Sequence, residues 1–185
     1  MSHEFKKENK ILKIHSDPFP ESPREWDNLG TMVYGHRKYC LGDKQARNLE
    51  HYTDWDNWFE GEIGSKNAIA LPLYLYDHSG LVINTTPFSC PWDSGQVGWI
   101  YAKKENIRKE YNKKRVSKKM AEKVKEVLRG EVEVFNDYIR GNIYGYTLND
   151  ISGKEIDSCW GFYGNDFINN GILDCVGEEW RELIA

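Results

Sequence analysis

The chain has 185 residues, of which 39% are hydrophobic and 14% aromatic, with a formal net charge of -4. This length fits one domain with a buried core, and the apolar content exceeds that of disordered chains. No apolar run approaches the roughly 20 residues that span a bilayer, which argues against an integral membrane protein. The charged first ten residues differ from a signal peptide, so we expect a cytoplasmic protein.

The charge is distributed unevenly along the chain. Lys103–Arg129 contains 12 lysines and arginines and 4 acids, whereas the remainder contains 13 basic and 25 acidic residues. Most of the chain would therefore repel nucleic acid, while this one segment would attract it or an acidic protein surface.

The first part of the chain predicts two strands separated by an extended connection. Residues 1–9 are polar and we expect them to be flexible, and Lys10–His15 alternates as a strand does. Residues 16–23 contain three prolines, which fix φ and donate no backbone hydrogen bond, so this stretch cannot join a central ladder. Thr31–Cys40 resembles a second strand.

Asn48–Gly61 predicts an amphipathic segment rich in aromatic rings. Leu49, Tyr52, Trp55 and Trp58 recur at helical spacing among carboxylates. Such rings ordinarily cover a core, since aromatic side chains dominate core burial. The alternative is an aromatic and acidic surface for a partner, because tryptophan and tyrosine are enriched at binding hot spots.

Leu71–Tyr101 predicts a three-stranded meander with two polar corners, Asp77–Gly80 and Trp92–Gly95. Strand Leu81–Thr86 would occupy its middle, which would place the two corners about 20 Å apart. Aspartate and serine before glycine also have an ordinary role in turns, where they bond nearby backbone N–H groups.

The second half predicts helices and a hairpin. A short helix over Lys103–Tyr111 precedes a long one over Val116–Arg140, whose apolar residues recur at intervals of three and four. Asn142–Leu148 and Glu155–Tyr163 then form a hairpin, and two short helices close the chain. The sequence thus predicts a single α+β domain over residues 1–185, with a mainly antiparallel sheet, one long helix and several short ones.

The four cysteines predict free thiols in a reducing compartment. Cys40, Cys90, Cys159 and Cys175 are widely spaced, and we expect Cys159 and Cys175 to lie in the core. His36 and Cys40 are four residues apart on a predicted strand, about 13 Å, which is too far for one zinc ion. We expect neither a metal nor a cofactor.

The catalytic candidates are Asp77, His78 and Ser79 of the first corner with Asp93, Ser94 and Gln96 of the second. A nucleophile and its base must approach to about 3 Å, and the expected separation of the corners opposes a shared site. Four further aspartates could bind Mg²⁺ through oxygen ligands, although solvated surface acids are the simpler interpretation: Asp54, Asp56, Asp157 and Asp166. No catalytic set is complete, so we expect a non-catalytic protein.

The basic segment over residues 113–129 has two interpretations. Its lysines form a solvated helix face, or they dock on phosphates. The candidate nucleic-acid contacts are Lys113, Lys114, Lys118, Lys119, Lys123 and Arg129.

Four sequence blocks together resemble a group of small proteins encoded by bacteriophages and prophages of gut bacteria. The blocks are residues 21–33 (ESPREWDNLGTMV), Tyr76–Gly80, Trp92–Gly98 and Asp157–Gly164. The resemblance implies an inhibitor of host defence, of the anti-CRISPR or anti-restriction kind, and it assigns no functional residue.

Three hypotheses follow. The first is a phage counter-defence inhibitor that binds a bacterial defence nuclease, in particular a CRISPR Cas effector such as Cas9 with or without its guide RNA. The expected partner contacts are Asp54, Trp55, Trp58, His78, Asp93 and Gln96. The second is a phage hydrolase or nuclease using Asp77, His78 and Asp93. The third is a nucleic-acid-binding module that uses the basic segment.

Overall fold

This computed structural model describes residues 2–52 and 54–185 and, for Glu50, the backbone alone. Met1, in the segment expected to be flexible, and Thr53, in the aromatic segment, lie outside the described residues. The strands are β1 (Ser2–Lys7), β2 (Lys10–Ser16), β3 (Thr31–Tyr34), β4 (Lys44–Gln45), β5 (Ala68–Asp77), β6 (Leu81–Asn84), β7 (Ser94–Lys103), β8 (Ile143–Asp150) and β9 (Glu155–Tyr163). The α-helices are α1 (Trp55–Glu62), α2 (Lys104–Glu110), α3 (Lys118–Arg140), α4 (Ile172–Val176) and α5 (Arg181–Ile184).

The chain divides into two compact units. A terminal unit comprises Met1–Ser22 and Asp137–Ala185, and a central unit comprises Pro23–Asn136. Each unit has its own sheet, and nearly all strand pairs are antiparallel. The predicted α+β class is confirmed.

The terminal unit is built on a four-stranded sheet of order β1-β2-β8-β9. Its β8–β9 hairpin was predicted from the sequence and is confirmed, with Thr147 opposite Ser158. Ser2–Lys7, expected to be flexible, instead forms an edge strand with Phe5 opposite Leu12. The reason is that Phe5 packs against the core of this unit, which offsets the polarity of its neighbours.

The core of the terminal unit lies on one face of this sheet. Leu12 and Ile14 from β2 and Tyr146 from β8 meet Leu173 and Trp180 from the C-terminal segment, and all five are buried. The helix expected over Asp166–Leu173 begins only at Ile172, because residues 167–171 form turns and bends before α4. The helix expected over Glu178–Ile184 is present as a 3₁₀ turn over Glu178–Trp180 followed by α5. Cys159 and Cys175 are exposed, so their predicted core position is wrong. Cys159 lies on β9, the outermost strand of this sheet, whose first seven residues are all exposed.

The central unit contains a five-stranded sheet of order β4-β3-β7-β5-β6. The predicted meander is wrong in its order, because β5 lies between β6 and β7. The almost continuously apolar β5 has a partner strand on each edge, β6 on one and β7 on the other. The four-residue β6 is left at the edge of the sheet.

The long helix packs as its apolar periodicity predicts. Val124, Leu128, Val132 and Phe135 are buried along one stripe of α3. A Cβ atom at Gly30 would lie 2.5 Å from Cδ2 of Leu128, so the helix requires a residue without a side chain there. The N-terminus of α3 is capped by the Ser117 hydroxyl, which accepts from the backbone N–H of Met120 over 3.3 Å.

Candidate functional site at the sheet corners

The two polar corners of the central unit lie side by side. Asp77 ends β5, and its backbone N–H donates to the carbonyl oxygen of Asp93 over 2.8 Å. The antiparallel register places Tyr76 opposite Ser94, so the end of β5 and the start of β7 coincide. The expected separation of about 20 Å is therefore wrong. It assumed that β6 lies between the two corners, whereas β5 pairs directly with β7.

The side chains of the corners form a small polar network. Nδ1 of His78 lies 3.3 Å from Oδ2 of Asp93. The Cys90 thiol donates to the same carboxylate oxygen over 3.6 Å. The Ser94 hydroxyl donates to the carbonyl oxygen of Cys90 over 2.5 Å, which ties the loop before β7 to that strand. A thiol, an imidazole and a carboxylate are thus held within one cluster.

The first corner places His78 by a tight turn. His78 donates its backbone N–H to the Gly80 carbonyl over 3.3 Å, and Ser79 adopts a left-handed conformation with φ of 56°. This conformation is unfavourable for a residue with a side chain, and such strain is found more often at functional sites than elsewhere. The Tyr76 ring lies beneath the corner, 6.0 Å from the His78 ring and 5.6 Å from the Phe88 ring.

Trp92 stands out from the second corner. Its side chain is 92% exposed, although it directly precedes Asp93, whose backbone is fixed by β5. Tryptophan is enriched at binding hot spots, because burial of its large ring contributes strongly to binding. We refer to His78, Cys90, Trp92 and Asp93 as the corner surface.

A neighbouring loop adds positive charge to this region. The pKa of Lys38 is raised, chiefly by its contact with the Tyr39 hydroxyl and to a lesser degree by the carboxylate of Asp77. The Lys38 ammonium also lies 4.7 Å from the centre of the Tyr39 ring. The region of the corner surface therefore contains two acidic residues, Asp77 and Asp93, and one nearby basic residue, Lys38.

The order of the groups decides which chemistry the cluster can support. Asp93 lies between the thiol and the imidazole, whereas an activated cysteine requires direct contact with its histidine. His78 instead resembles a histidine oriented through Nδ1 by a carboxylate, an arrangement in which Nε2 is the nitrogen left for proton transfer. The His78 side chain is 62% exposed, so the water exclusion that strengthens catalytic groups is lacking in this conformation.

The other predicted partner contacts lie elsewhere or in the core. Asp54 caps α1 by accepting the backbone N–H of Asn57 over 2.8 Å. Trp58 is only 4% exposed and donates its indole N–H to the Arg47 carbonyl over 2.9 Å, so the interpretation as a core residue is the correct one. Trp55 is half-buried against Trp58.

Gln96 is also half-buried, on β7, and its amide donates to the carbonyl oxygen of Gly98 over 3.3 Å. Its side chain is thus engaged along its own strand. Of the six expected contacts, His78 and Asp93 meet at the corners, whereas Asp54, Trp55 and Trp58 lie together at α1.

The predicted nucleic-acid contacts are all exposed. Lys113 and Lys114 lie between α2 and α3, and the other four lie on α3: Lys118, Lys119, Lys123 and Arg129. The Lys123 ammonium lies 5.0 Å from the centre of the Tyr111 ring, a favourable cation–π contact. The segment forms the predicted solvated face, and its use in phosphate binding stays a prediction.

The dispersed aspartates have local structural roles. Asp157 accepts from the Tyr146 hydroxyl over 2.6 Å, and Asp166 accepts from the backbone N–H of Ile168 over 3.1 Å. Within residues 2–52 and 54–185, no group of three histidine, cysteine or acidic side chains is arranged to hold a metal ion. Nor does any helix in these ranges have the length and apolar character to cross a membrane.

Sequence reasoning missed Cys90 and Trp92 as members of the site. Their signal was present in the segment Ser89–Ser94 (SCPWDS), where a cysteine, a proline and a tryptophan crowd before a turn aspartate. A tryptophan within a turn is uncommon, since turn positions favour small polar residues.

Comparisons of the chain with protein-family models, with curated proteins and with solved structures returned no match.

Proposed function

We propose that this protein is a non-catalytic phage counter-defence inhibitor that binds a bacterial defence nuclease through the corner surface. The observation that carries the proposal is the exposure of Trp92 on a base fixed by the Asp77–Asp93 backbone bond. A tryptophan side chain has only two rotatable bonds and therefore loses little conformational entropy on binding, which is typical of interface hot spots.

The charge of the region supports this class of partner. Asp93 directly follows Trp92, and the backbone of Asp77 is bonded to that of Asp93, so two acidic residues belong to the region of the anchor. Defence nucleases of the Cas type hold nucleic acid in basic channels. Complementary charges accelerate encounter and fix the register of a complex. The class of partner, a Cas effector in particular, is taken from the resemblance of the four sequence blocks to phage proteins.

A pull-down with purified nucleases tests the proposal. The immobilised targets are a Cas nuclease, with and without guide RNA, and a restriction nuclease. The wild-type chain should be retained on one target, and Trp92→Ala should weaken that complex about 30-fold, as removal of a hot spot does.

Phe19→Ala is the matched control. It removes an aromatic ring that is 89% exposed in the terminal unit, and its complex should retain wild-type affinity. Absence of retention on every target, or equal affinity of the Trp92→Ala and wild-type chains, would reject the proposal.

The 3.3 Å contact between His78 and Asp93 favours one second candidate, a hydrolase or nuclease in which His78 acts as general base. This candidate predicts turnover by the isolated chain that His78→Ala abolishes and Trp92→Ala leaves intact. The inhibitor predicts the opposite pattern, with inhibition of the nuclease lost in Trp92→Ala. The two variants therefore separate the candidates in one set of assays.

A further inference from the structure

A cavity of about 680 Å³ lies in the central unit, between β4 on one side and the end of α1 on the other. Val33, Trp58 and Tyr101 form its buried floor and belong to one core cluster. Lys44 and Arg47 also line the cavity, and both are exposed. The volume falls within the roughly 300–1,000 Å³ typical of small-molecule sites.

Tyr101 presents an unpaired hydroxyl in this cavity. The residue is only 6% exposed, and its hydroxyl forms no hydrogen bond with any group that the structure describes. Among the described residues that are not exposed, the indole nitrogen of Trp180 is the one fully enclosed side-chain N or O atom without a partner. The Tyr101 hydroxyl is therefore not enclosed, and it is reached through the cavity that Tyr101 lines. A tyrosine this buried usually has a hydrogen-bond partner, so a ligand can supply one.

The environment of Tyr101 keeps its hydroxyl neutral and fixed in place. Burial raises the pKa of Tyr101, and the negative charge of Asp43 raises it further. The phenol therefore retains its proton at neutral pH and can donate one hydrogen bond and accept another. The Phe59 ring contacts the Tyr101 ring in an edge-to-face arrangement, with 6.2 Å between the ring centres.

The segment that carries the two cations is held by backbone contacts. Lys44 lies opposite Val33 in the parallel pairing of β4 with β3. The N–H of Ala46 donates to the carbonyl oxygen of Tyr34 over 2.7 Å. The Arg47 carbonyl accepts the indole N–H of Trp58 over 2.9 Å. A rim that is ordered before binding reduces the entropy lost when a ligand binds.

The charges around the cavity favour an anionic group on one side. Neither Lys44 nor Arg47 forms an ion pair with a side chain that the structure describes. Glu62, on the α1 side, accepts a hydrogen bond from the Tyr52 hydroxyl over 2.9 Å. An anion is therefore attracted to the β4 side and repelled from the α1 side, which orients a ligand within the cavity.

We propose that this cavity binds a small ligand that has a planar ring with a polar atom and an anionic group, either a carboxylate or a phosphate. The anionic group contacts Lys44 and Arg47, whose guanidinium can donate two parallel hydrogen bonds to either anion. The ring lies on Val33 and Trp58, and its polar atom shares a hydrogen bond with the Tyr101 hydroxyl.

This inference is independent of nuclease binding. None of the residues that line the cavity belongs to the corner surface, so a small ligand can be tested on the isolated chain. Aromatic carboxylates and nucleoside monophosphates share the required chemistry, and the two anions distinguish them.

A titration followed by ¹H–¹⁵N NMR tests the proposal. The probes are indole-3-acetate and adenosine monophosphate, each compared with its neutral match, indole or adenosine. At least one anion should shift the Trp58 indole N–H signal with a dissociation constant on the order of 0.1–1 mM. Its neutral match should bind about 10-fold more weakly or worse, because it lacks the charged hydrogen bonds. The anion that binds more tightly identifies the carboxylate or the phosphate as the preferred group.

Two variants test the position of the ligand. Arg47→Gln should weaken binding about 10-fold or more, whereas Arg129→Gln, which removes an exposed arginine of α3, should bind like wild type. Tyr101→Phe should weaken binding by about 3- to 10-fold. Its urea midpoint should stay at the wild-type value, because the lost hydroxyl has no hydrogen-bond partner among the described residues.

Four results would each overturn the proposal. The first is the absence of any shift of the Trp58 signal at about 5 mM of either anion. The second is equal affinity for an anion and its neutral match. The others are equal affinities of Arg47→Gln and Arg129→Gln, and equal affinities of Tyr101→Phe and the wild-type chain.

Discussion

Asp77 and Asp93 are joined through their backbones, although each belongs to a different corner of the central sheet. The N–H of Asp77 donates to the carbonyl oxygen of Asp93 over 2.8 Å, while the Asp93 side chain contacts His78 and Cys90. The backbone of Asp93 thus holds the end of β5 next to the start of β7, and its carboxylate contacts both His78 and Cys90 of the corner surface. A substitution of the side chain alone should leave the sheet register intact.

Trp58 and Trp92 should respond in opposite ways to truncation. Trp58→Ala should lower the free energy of unfolding by about 3–5 kcal/mol, because its buried ring leaves a cavity. Trp92→Ala should change it by less than about 0.5 kcal/mol, since the ring is exposed. Urea unfolding followed by far-UV circular dichroism measures both. A large loss of stability in Trp92→Ala would mean that the ring has a structural role.

Among polar residues of the central unit, Arg24 should contribute most to the free energy of unfolding. Its guanidinium donates two hydrogen bonds to Asp43, over 2.9 and 2.8 Å, and one to Glu131 over 3.1 Å, with 7% of its side chain exposed. Arg24→Met would leave the largely buried carboxylates of Asp43 and Glu131 without their cation, at an expected cost of about 3–5 kcal/mol.

Arg37→Met provides the comparison for Arg24. Arg37 is exposed in the same unit, and its replacement should change the free energy of unfolding by less than about 0.5 kcal/mol. Equal denaturation midpoints for the two variants would show that the buried ion pairs contribute nothing net.

Gly98 and Gly95 lie on the same strand but should differ in tolerance. A Cβ atom at Gly98 would lie 1.9 Å from the carbonyl oxygen of Val33, so Gly98→Ala must separate β7 from β3. We expect a loss of about 1–3 kcal/mol or more, as in overpacked cores. Gly95→Ala meets no atom within 4 Å and should unfold at nearly the wild-type urea concentration.

Tyr146 should make the terminal unit sensitive to alkaline pH. Its pKa is raised well above the usual value of about 10, first because of burial and second because the hydroxyl donates to Asp157. The neutral phenol is therefore favoured in the folded state, and its contribution is complete below about pH 10 and lost as the pH rises.

A comparison with Tyr146→Phe isolates this effect. The stability advantage of wild type over the variant should shrink by about 0.8 kcal/mol between roughly pH 8 and roughly pH 10.5. Urea unfolding of both proteins at the two pH values gives the difference. An advantage that does not vary with pH would contradict the assignment.

The exposed lysines of α3 should contribute to binding only when the nuclease carries its guide RNA. A triple charge reversal, Lys118→Glu with Lys119→Glu and Lys123→Glu, should weaken binding to a guide-loaded nuclease and leave binding to the guide-free nuclease unchanged. The salt dependence of the guide-loaded complex should also become shallower, because each lost phosphate contact removes about one counterion from the slope. Equal weakening of both complexes would show that these lysines contact the nuclease protein and not its guide RNA.

Local signals in the sequence predicted the elements better than their arrangement. The β8–β9 hairpin and α3 follow from turn residues and from apolar periodicity, which act over a few positions. The pairing of β5 with β7 is not local, because Tyr76 meets Ser94 across the whole of β6 and the loop that follows it. Whether β5 or β6 pairs with β7 depends on the relative stability of two arrangements of the whole sheet. No single segment of the sequence contains that information.

For the candidate site, likewise, individual residues were predicted from the sequence but their arrangement in space was not. His78 and Asp93 were recognised as candidates from residue type, but their convergence depended on strand order and was predicted wrongly. Trp58 and Trp92 look alike in the sequence, since each lies beside an acidic or amide residue in a polar stretch. Only the path of the chain buries Trp58 and exposes Trp92.

The division of the chain also governs the order of events during synthesis. Strand β2 leaves the ribosome early, but its partner β8 begins only at Ile143, after the whole of Pro23–Asn136. The central unit is contiguous and has all its strands by Lys103. Since contiguous units fold as they emerge, the central sheet can form while β1 and β2 await the strand that completes theirs.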